Sequence, residues 1–245
     1  MLFLDCTHWT PALREGSFVL SMKQEMNTKQ VVAVIGASGK MGSALAKTLS
    51  KGNYRILLHS SKTNAVQSLL HEIKNNYSSA DIEIVEDYVE IGWEADAVIL
   101  AVPYAAEKGV AEKIRSVVNQ KVIISISNPL NDLYHGLLTS PGISAAEELQ
   151  KQLPNTKVIK AFNTVFANDF YQPVVHDQKL DCFIAGNDED ALELVYDLVK
   201  TAGFHPILAG DLSMSRTLES MQLMLIQLTM QNNYNGSAGW KILHN

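Results

Sequence analysis

The sequence predicts an α/β fold: a doubly wound parallel sheet with a small C-terminal helical segment. Three observations carry that prediction. Short runs of β-branched and aliphatic residues alternate with amphipathic helical stretches from Gln30 to Ala209, the pattern of strands joined by crossover helices. The strand runs are continuously apolar, as strands covered on both faces are. Three glycines, Gly36, Gly39 and Gly42, sit where the first strand meets the first helix. At roughly 150 residues per domain, 245 residues make one to two domains. The expected division is an N-terminal extension over 1–28, a sheet domain over 29–210 and a helical segment over 211–245.

The elements follow in order. Residues 1–28 lack clear periodicity and read as a loosely attached extension, with Met22 and Met26 as alternative start positions. Val31 to Ile35 is the first strand. Met41, Leu45 and Leu49, four apart, mark the first helix, and Gly52 is placed to end it. Tyr54 to Leu58 is the second strand, and Val66, Leu69, Leu70 and Ile73 mark the second helix. Strands are expected at Ile82 to Val85, Ala97 to Val102, Val122 to Ile126, Val158 to Ala161, Cys182 to Ala185 and His205 to Ala209. A helix with Val110, Ile114 and Val117 follows the fourth strand. Another, with Leu192, Val195 and Val199, is expected to start at a cap on Asn187. Ser213 to Asn233 reads as one long helix, apolar around much of its circumference through Leu218, Met221, Leu225 and Leu228. Such a helix packs against a second subunit or under the sheet domain, or is an ordinary core helix.

Composition excludes several classes. Apolar residues are 47% and charged residues 19%, which rules out bulk disorder. The net charge of −6 disfavours a general nucleic-acid binder. Cys6 and Cys182 form no metal-ligand spacing and fit a reducing, cytoplasmic compartment. No apolar run reaches about 18 residues, and the first residues lack the pattern of a signal peptide, so no membrane partner is expected. The histidines form no metal spacing, and no metal is expected. Asp188, Glu189 and Asp190 read as first-turn dipole compensation rather than a catalytic carboxylate pair.

A buried strand running through glycines into a helix is a dinucleotide-binding turn. The first glycine permits the turn, the second lets backbone amides approach the pyrophosphate, and the third lets the helix pack closely. Gly36, Ala37, Ser38, Gly39, Lys40 and Met41 are the candidate pyrophosphate-binding residues. The alternative is a merely structural turn. An NAD site usually places Asp or Glu about 20 residues on, yet no acidic residue lies between Gly36 and Glu72. The second strand runs instead into His59-Ser60-Ser61-Lys62, where hydroxyls and a lysine suit the 2′-phosphate of NADP(H). Lys40, Lys47, Lys51, Arg55 and Lys62 cluster in the same window. On the alternative reading Lys62 is solvated and Ser60 caps the next helix.

Ligands of parallel sheets lie outside the carboxyl ends of the strands. Ala101-Val102-Pro103-Tyr104, Ser127-Asn128-Pro129 and Ala161-Phe162-Asn163-Thr164 end successive strands, so these segments should surround the nicotinamide. Tyr104 and Lys108 mimic the Tyr/Lys pair of short-chain dehydrogenases but lie too early in the fold for that role. They read as a helix start with a solvated lysine.

These residues resemble a known family. The glycine turn, His59 to Lys62, Ala101 to Pro103, Lys160 to Thr164, Cys182 to Asp188 and Gly239-Trp240-Lys241 are similar to the NADP oxidoreductases dependent on the deazaflavin coenzyme F420. The likeness runs from about residue 30 to the C-terminus. The cytosolic domain of six-transmembrane metalloreductases resembles the same family, so the fold alone does not name the acceptor. The resemblance implies a Rossmann domain and a small helical domain that forms a homodimer and covers the acceptor. It implies hydride transfer between nicotinamide C4 and deazaflavin C5, which needs stacked rings and exclusion of water more than an acid or base side chain. By position, Ser60, Ser61 and Lys62 hold the 2′-phosphate, although the family often has Arg at the position of Ser61. The Ala161 backbone fixes the nicotinamide carboxamide, and Phe162 and Asn163 meet the acceptor with the last helix. Rival readings are a ferric or flavin reductase, a reductase of a small imine or keto acid, and a non-catalytic NADP sensor. No catalytic residue is assigned.

Overall fold

The computed structural model describes residues 29–234 and 238–244. The expected N-terminal extension, and with it Cys6, lies outside the described residues. Strands β1 (Gln30–Ile35), β2 (Tyr54–His59), β3 (Asp81–Ile84), β4 (Ala97–Leu100), β5 (Val122–Ser125) and β6 (Lys157–Lys160) are all parallel, in the order β3-β2-β1-β4-β5-β6. This is the order of a doubly wound, Rossmann-type sheet, with its switch point between β1 and β4. Apolar clusters cover both faces. Val32, Val34, Leu45 and Ile56 lie on one side, and Ala33, Ile35, Val98 and Ile114 on the other. Alternate residues of β1 thus feed opposite cores, which is why the strand reads as an unbroken apolar run.

Helices α1 (Lys40–Leu49), α2 (Thr63–Asn76) and α4 (Tyr104–Ile114) follow β1, β2 and β4 as the sequence predicts. Two helices were not expected. Helix α3 (Tyr88–Glu94) starts at Asp87, whose carboxylate accepts from the Val89 and Glu90 amides. Helix α5 (Ala145–Gln152) starts with a capping box of Ser144 and Glu147. That box is a Ser-x-x-Glu signal visible in the sequence.

The sheet departs from the all-parallel expectation at one edge. Strand β9 (Asp181–Gly186) pairs antiparallel with β6, and β10 (His205–Gly210) pairs parallel with β9. The link from β6 to β9 carries a 3-10 turn (Ala167–Phe170) and a short hairpin, β7 (Val174–Val175) with β8 (Gln178–Lys179), but no crossover helix. An antiparallel return needs none. Burial on both faces gave β9 the same apolar signature as its parallel neighbours. Helix α6 (Glu189–Thr201) crosses from β9 to β10. Its cap is Asp188, which accepts from Ala191, and not Asn187. Asn187 instead accepts from the Leu212 amide.

Helix α7 (Ser215–Asn232) spans the expected tail helix. Its buried stripe is more polar than expected: Ser215, Leu218, Glu219, Gln222, Leu225 and Thr229. Leu218 packs with Phe183 and Ala185 beside Trp240. The segment after it returns to the sheet edge. There the Asp181 amide donates to the Trp240 carbonyl, and its carboxylate accepts from Lys241 Nζ at 2.7 Å and from the Ile242 amide at 2.6 Å. No helix among the described residues is long and apolar enough to cross a membrane.

Candidate functional site

The glycine turn is built by close backbone approach. Gly36 has φ +91°, a region disfavoured for side chains, and a Cβ there would overlap the Ala101 carbonyl oxygen at the end of β4. A Cβ on Gly42 would overlap the Gly36 carbonyl oxygen. The first glycine brings β1 and β4 together; the third seats α1 on the turn. The Gly36 and Ala37 amides both donate to the His59 carbonyl, at 2.9 and 3.0 Å, fixing the turn to the end of β2.

Helix α1 begins at Gly39 with no side-chain cap and no acidic residue in its first turn; α2 begins at Lys62 in the same condition. The first amides of each helix have no intrahelical acceptor, and the dipole there favours an anion. Helices α3, α5 and α6 are closed by capping side chains, whereas α4, led by Pro103, and α7, led by Met214, are also uncapped. Between the two open helix ends, Ser38 Oγ and Ser60 Oγ lie 2.5 Å apart, and Ser60 Oγ accepts from the Lys62 amide at 3.1 Å. Ser60 therefore joins the turn after β1 to the loop after β2 and also caps that loop. Ser61, Lys62, Gly39 and Lys40 are exposed, with Met41 half-buried.

The basic window divides. Lys47 pairs with Glu72 at 2.6 Å, Arg55 pairs with Glu83 and Glu94, and Lys51 lies over the Tyr77 ring. These three are engaged elsewhere. Lys40 and Lys62 form no ion pair with any described residue.

The strand ends form a second, buried group. Asn128 and Asn163 exchange hydrogen bonds: Asn128 Nδ2 donates to the Asn163 carbonyl, and Asn163 Nδ2 donates to Asn128 Oδ1, both at 2.9 Å. Asn163 Nδ2 also donates to the Leu218 carbonyl of α7 at 3.1 Å. The buried Asn163 Oδ1 and Thr164 Oγ1 have no partner among the described residues. Phe162 holds φ +57°, a left-handed conformation that costs about 1–3 kcal/mol in a non-glycine residue.

Beneath this layer lies a cluster that sequence reasoning missed. Lys160 and Glu219 are both fully buried, with Nζ 2.8 Å from Oε1. Lys160 Nζ also donates to the Ser127 carbonyl at 2.6 Å, and the Ala145 amide donates to both Glu219 oxygens at 3.1 Å. Ser125 Oγ donates to Glu107 Oε1 at 3.2 Å. Burial pushes the Glu107 carboxyl up to about 7, against the opposing pull of Lys160. Nothing local marks these residues. Lys160 sits in an apolar strand, and Glu219 lies 59 positions later in an apolar helix.

Tyr104 donates to Glu148 at 2.6 Å, and burial together with that carboxylate pushes its hydroxyl up to about 12. With Lys108 exposed, the pair is not a short-chain-type couple, as expected. A cleft of about 240 Å³ opens between α4 and α5 beside Tyr104, Glu107 and Glu148. A larger hollow of about 420 Å³, beside Arg115 and Asn155, lies at the opposite, amino-terminal end of β5 and β6, away from the glycine turn.

Residues 31–129 match the family model described as NADP oxidoreductase coenzyme F420-dependent. The chain is 30% identical over 218 residues to an F420-dependent NADP reductase of Methanocaldococcus jannaschii, covering 84% of this chain and 96% of that one. It is 28% identical over 229 residues to the reductase of the same name from Methanothermobacter marburgensis, covering 86% of this chain and 97% of that one. The chain belongs to the F420-dependent NADP reductase family. It is an NADP-dependent oxidoreductase. In fold it is similar to a structure from Arthrobacter sp. FB24 assigned as an F420-dependent NADP reductase, with TM-score 0.73 and 22% identity, covering 87% of this chain and 99% of that one.

The expected site residues of this family member fall into groups. Gly36, Ala37, Ser38, Gly39, Lys40 and Met41 line the turn and the start of α1, with Ser60, Ser61 and Lys62 beside them. Ala101, Val102, Pro103 and Tyr104 end β4 next to Gly36; Asn128 and Pro129 end β5, and Ala161, Phe162 and Asn163 end β6. Two side chains depart from the expectation. The His59 ring is buried, with Nδ1 3.0 Å from the Val85 carbonyl and its centroid 4.0 Å from Tyr88, so His59 meets the turn through its backbone. The Phe162 ring is fully buried against Phe170, so it presents no face to an acceptor in this conformation. In both, a large apolar-compatible ring at a strand end completes the core rather than the cleft.

Proposed function

We propose that this protein transfers hydride between NADP(H) and a deazaflavin of the coenzyme F420 type, as a cytoplasmic homodimer. The observation that carries the reading is the join between Asn163, at the end of β6, and the Leu218 carbonyl of α7. It supports a helix held over the carboxyl ends of the strands, where a planar acceptor would be stacked and shielded from water.

In this reading the α1 amides take the pyrophosphate and Ser60, Ser61 and Lys62 take the 2′-phosphate. The residue types fit: two open helix ends, paired hydroxyls and an exposed lysine face one loop. In the same reading, the partnerless Asn163 Oδ1 and Thr164 Oγ1 would serve the carboxamide beside the Ala161 backbone. The bound dinucleotide supplies the hydride chemistry. The chain binds, orients and excludes water. The relatives that share most of its length are named for this pair of substrates.

The dimer reading rests on α7, with residues 211–245 as the segment that forms it and covers the acceptor. Met224 is exposed opposite its buried stripe, beside Ser220 and Gln231, and Leu228 and Met230 are exposed on its two flanks. Leu133 and Leu138 are also exposed, in the loop whose Tyr134 carbonyl accepts from Gln227 of α7. A subunit docked on α7 and this loop would cover these apolar side chains.

The test is NADPH oxidation, followed by absorbance, against coenzyme F420, FMN, FAD and a ferric chelate, with NADH as control. Fast turnover with coenzyme F420 is expected. Turnover only with flavin or iron would keep the dinucleotide half of the reading and replace the acceptor half.

A further inference from the structure

We propose that the buried Lys160–Glu219 ion pair is a positioning device for hydride transfer, fixing how α7 sits over the carboxyl ends of β5 and β6. This rests on the reading above that the nicotinamide lies at those strand ends and α7 covers the acceptor.

One contact gathers four segments. Lys160 is the last residue of β6, and its ammonium reaches the Ser127 carbonyl, just past β5, at 2.6 Å. Glu219 belongs to α7, and its carboxylate receives the Ala145 amide at the start of α5 through both oxygens. The residue before it, Leu218, accepts from Asn163, which pairs with Asn128. The ion pair therefore lies directly under the layer of side chains that ends β5 and β6. At the other end of the same helix turn, Arg216 Nε donates to Glu147 of α5 at 2.8 Å.

Stability alone is a poor account of this pair. Removing two charges from water costs several kcal/mol each, and apolar replacements of a buried pair are often neutral or stabilising. Apolar neighbours exist on that face, since Val158, two residues before Lys160 in β6, and Ala145 and Ala146 at the start of α5 are buried, but the Ser127 carbonyl and Ala145 amide would lose their partners. What apolar side chains cannot supply is direction. A charged hydrogen bond fixes distance and angle, whereas aliphatic contacts allow a helix to slide or roll. Hydride transfer is sensitive to this, since a misplacement of about 1 Å can cost about 100-fold in rate.

Glu107 makes the test practical. Ser125 Oγ donates to Glu107 and lies 3.5 Å from Lys160 Nζ, so a second carboxyl stands one hydroxyl away from the ammonium. When Glu219 is made neutral, a charge that holds the Glu107 carboxyl up is removed, so Glu107 on α4 becomes the counterion of Lys160 and attraction shifts away from α7. Glu219→Gln should therefore fold while loosening the helix.

The experiment compares the full-length wild type with Glu219→Gln and with the double variant K160M/E219L, which replaces the pair by apolar groups of similar size. NADPH affinity is read by fluorescence titration. Hydride transfer is read in single turnovers at saturating NADPH with coenzyme F420, and mobility of α7 by amide hydrogen exchange. Unchanged NADPH affinity is expected in both variants, with transfer slowed at least about tenfold and faster exchange along α7 in Glu219→Gln. The double variant should not regain rate, whatever its thermal stability. Wild-type transfer in the double variant would overturn the proposal, leaving the pair a stabilising contact only. A loss of NADPH affinity in step with rate would also overturn it. If the wild type passes no hydride to coenzyme F420, the acceptor reading fails instead. Unchanged α7 exchange in Glu219→Gln would then still overturn the positioning role.

Discussion

The two halves of the cleft solve opposite problems. Around the glycine turn, polar groups are left open: α1 and α2 begin without caps, and Lys40 and Lys62 form no ion pairs among the described residues. At the ends of β5 and β6 the charged and amide-nitrogen groups are already used, while Asn163 Oδ1 and Thr164 Oγ1 have no partner among the described residues. Lys160, Glu219, Asn128 and Asn163 are tied to one another and to α7. The first half offers binding groups to a charged ligand that brings its own partners. The second has stiff walls, which is what orientation of two rings requires. The difference separates open polar groups from groups already fixed in place.

The largest effect should come from closing the first half. Gly36→Val would drive a branched side chain into the Ala101 carbonyl at φ +91°. NADPH binding should be abolished and stability should fall by about 3 kcal/mol or more in urea melts, since backbone strain and overpacking add. Retained NADPH affinity would mean the turn does not hold the dinucleotide.

The second effect belongs to the buried half and depends on pH. The Glu107 carboxyl is raised from 4.5 to about 7 in the folded protein. Between those values the unfolded chain has released its proton and the folded chain has not, so stability falls as pH rises. The loss is about 1.4 kcal/mol per unit and about 3 kcal/mol in all by pH 8. Asp169, raised to about 6 mainly by burial, adds a slope of the same sign. Glu107→Gln should therefore flatten the decline, making the variant more stable than wild type at pH 8 but not at pH 4. Parallel pH curves for the two proteins would show that Glu107 ionises freely.

A smaller, selective effect tests the open half. Lys62→Ala removes one charge-assisted contact of about 1.5–3 kcal/mol. NADPH affinity should drop about 10- to 100-fold while NADH affinity stays unchanged. Equal losses for both would place Lys62 away from the 2′-phosphate. The smallest effect sharpens the contrast between capped and uncapped helices. Ser144→Ala breaks the capping box of α5 and should cost about 1 kcal/mol in thermal melts, with no change in NADPH affinity.

The open half was largely legible in the sequence because its signals are local. Gly36 to Gly42 and Ser60 to Lys62 declare themselves by spacing and by the strands that flank them. The same reading overestimated Lys47 and Arg55, whose partners Glu72 and Glu83 arrive from the next helix and strand. It also gave His59 and Phe162 exposed roles, since a motif shows order along the chain and not which way a ring turns. The buried half was not legible. Lys160 stood in the sequence as part of a family-like run, but its partner is brought by a helix that looked simply apolar. The reversal of β9 was hidden for a related reason, since a strand covered on both faces looks the same in either direction.

The span of 59 residues between Lys160 and Glu219 has a consequence for the order in which the molecule is made. On the ribosome, β1, α1 and β2 are complete long before α7 leaves the tunnel. The strands and turn of the open half therefore emerge while the α7 carboxylate that meets Lys160, and the wall it holds, are still to come. Making the glycine turn and closing the far wall are separate stages of biosynthesis. The late arrival of one glutamate separates them.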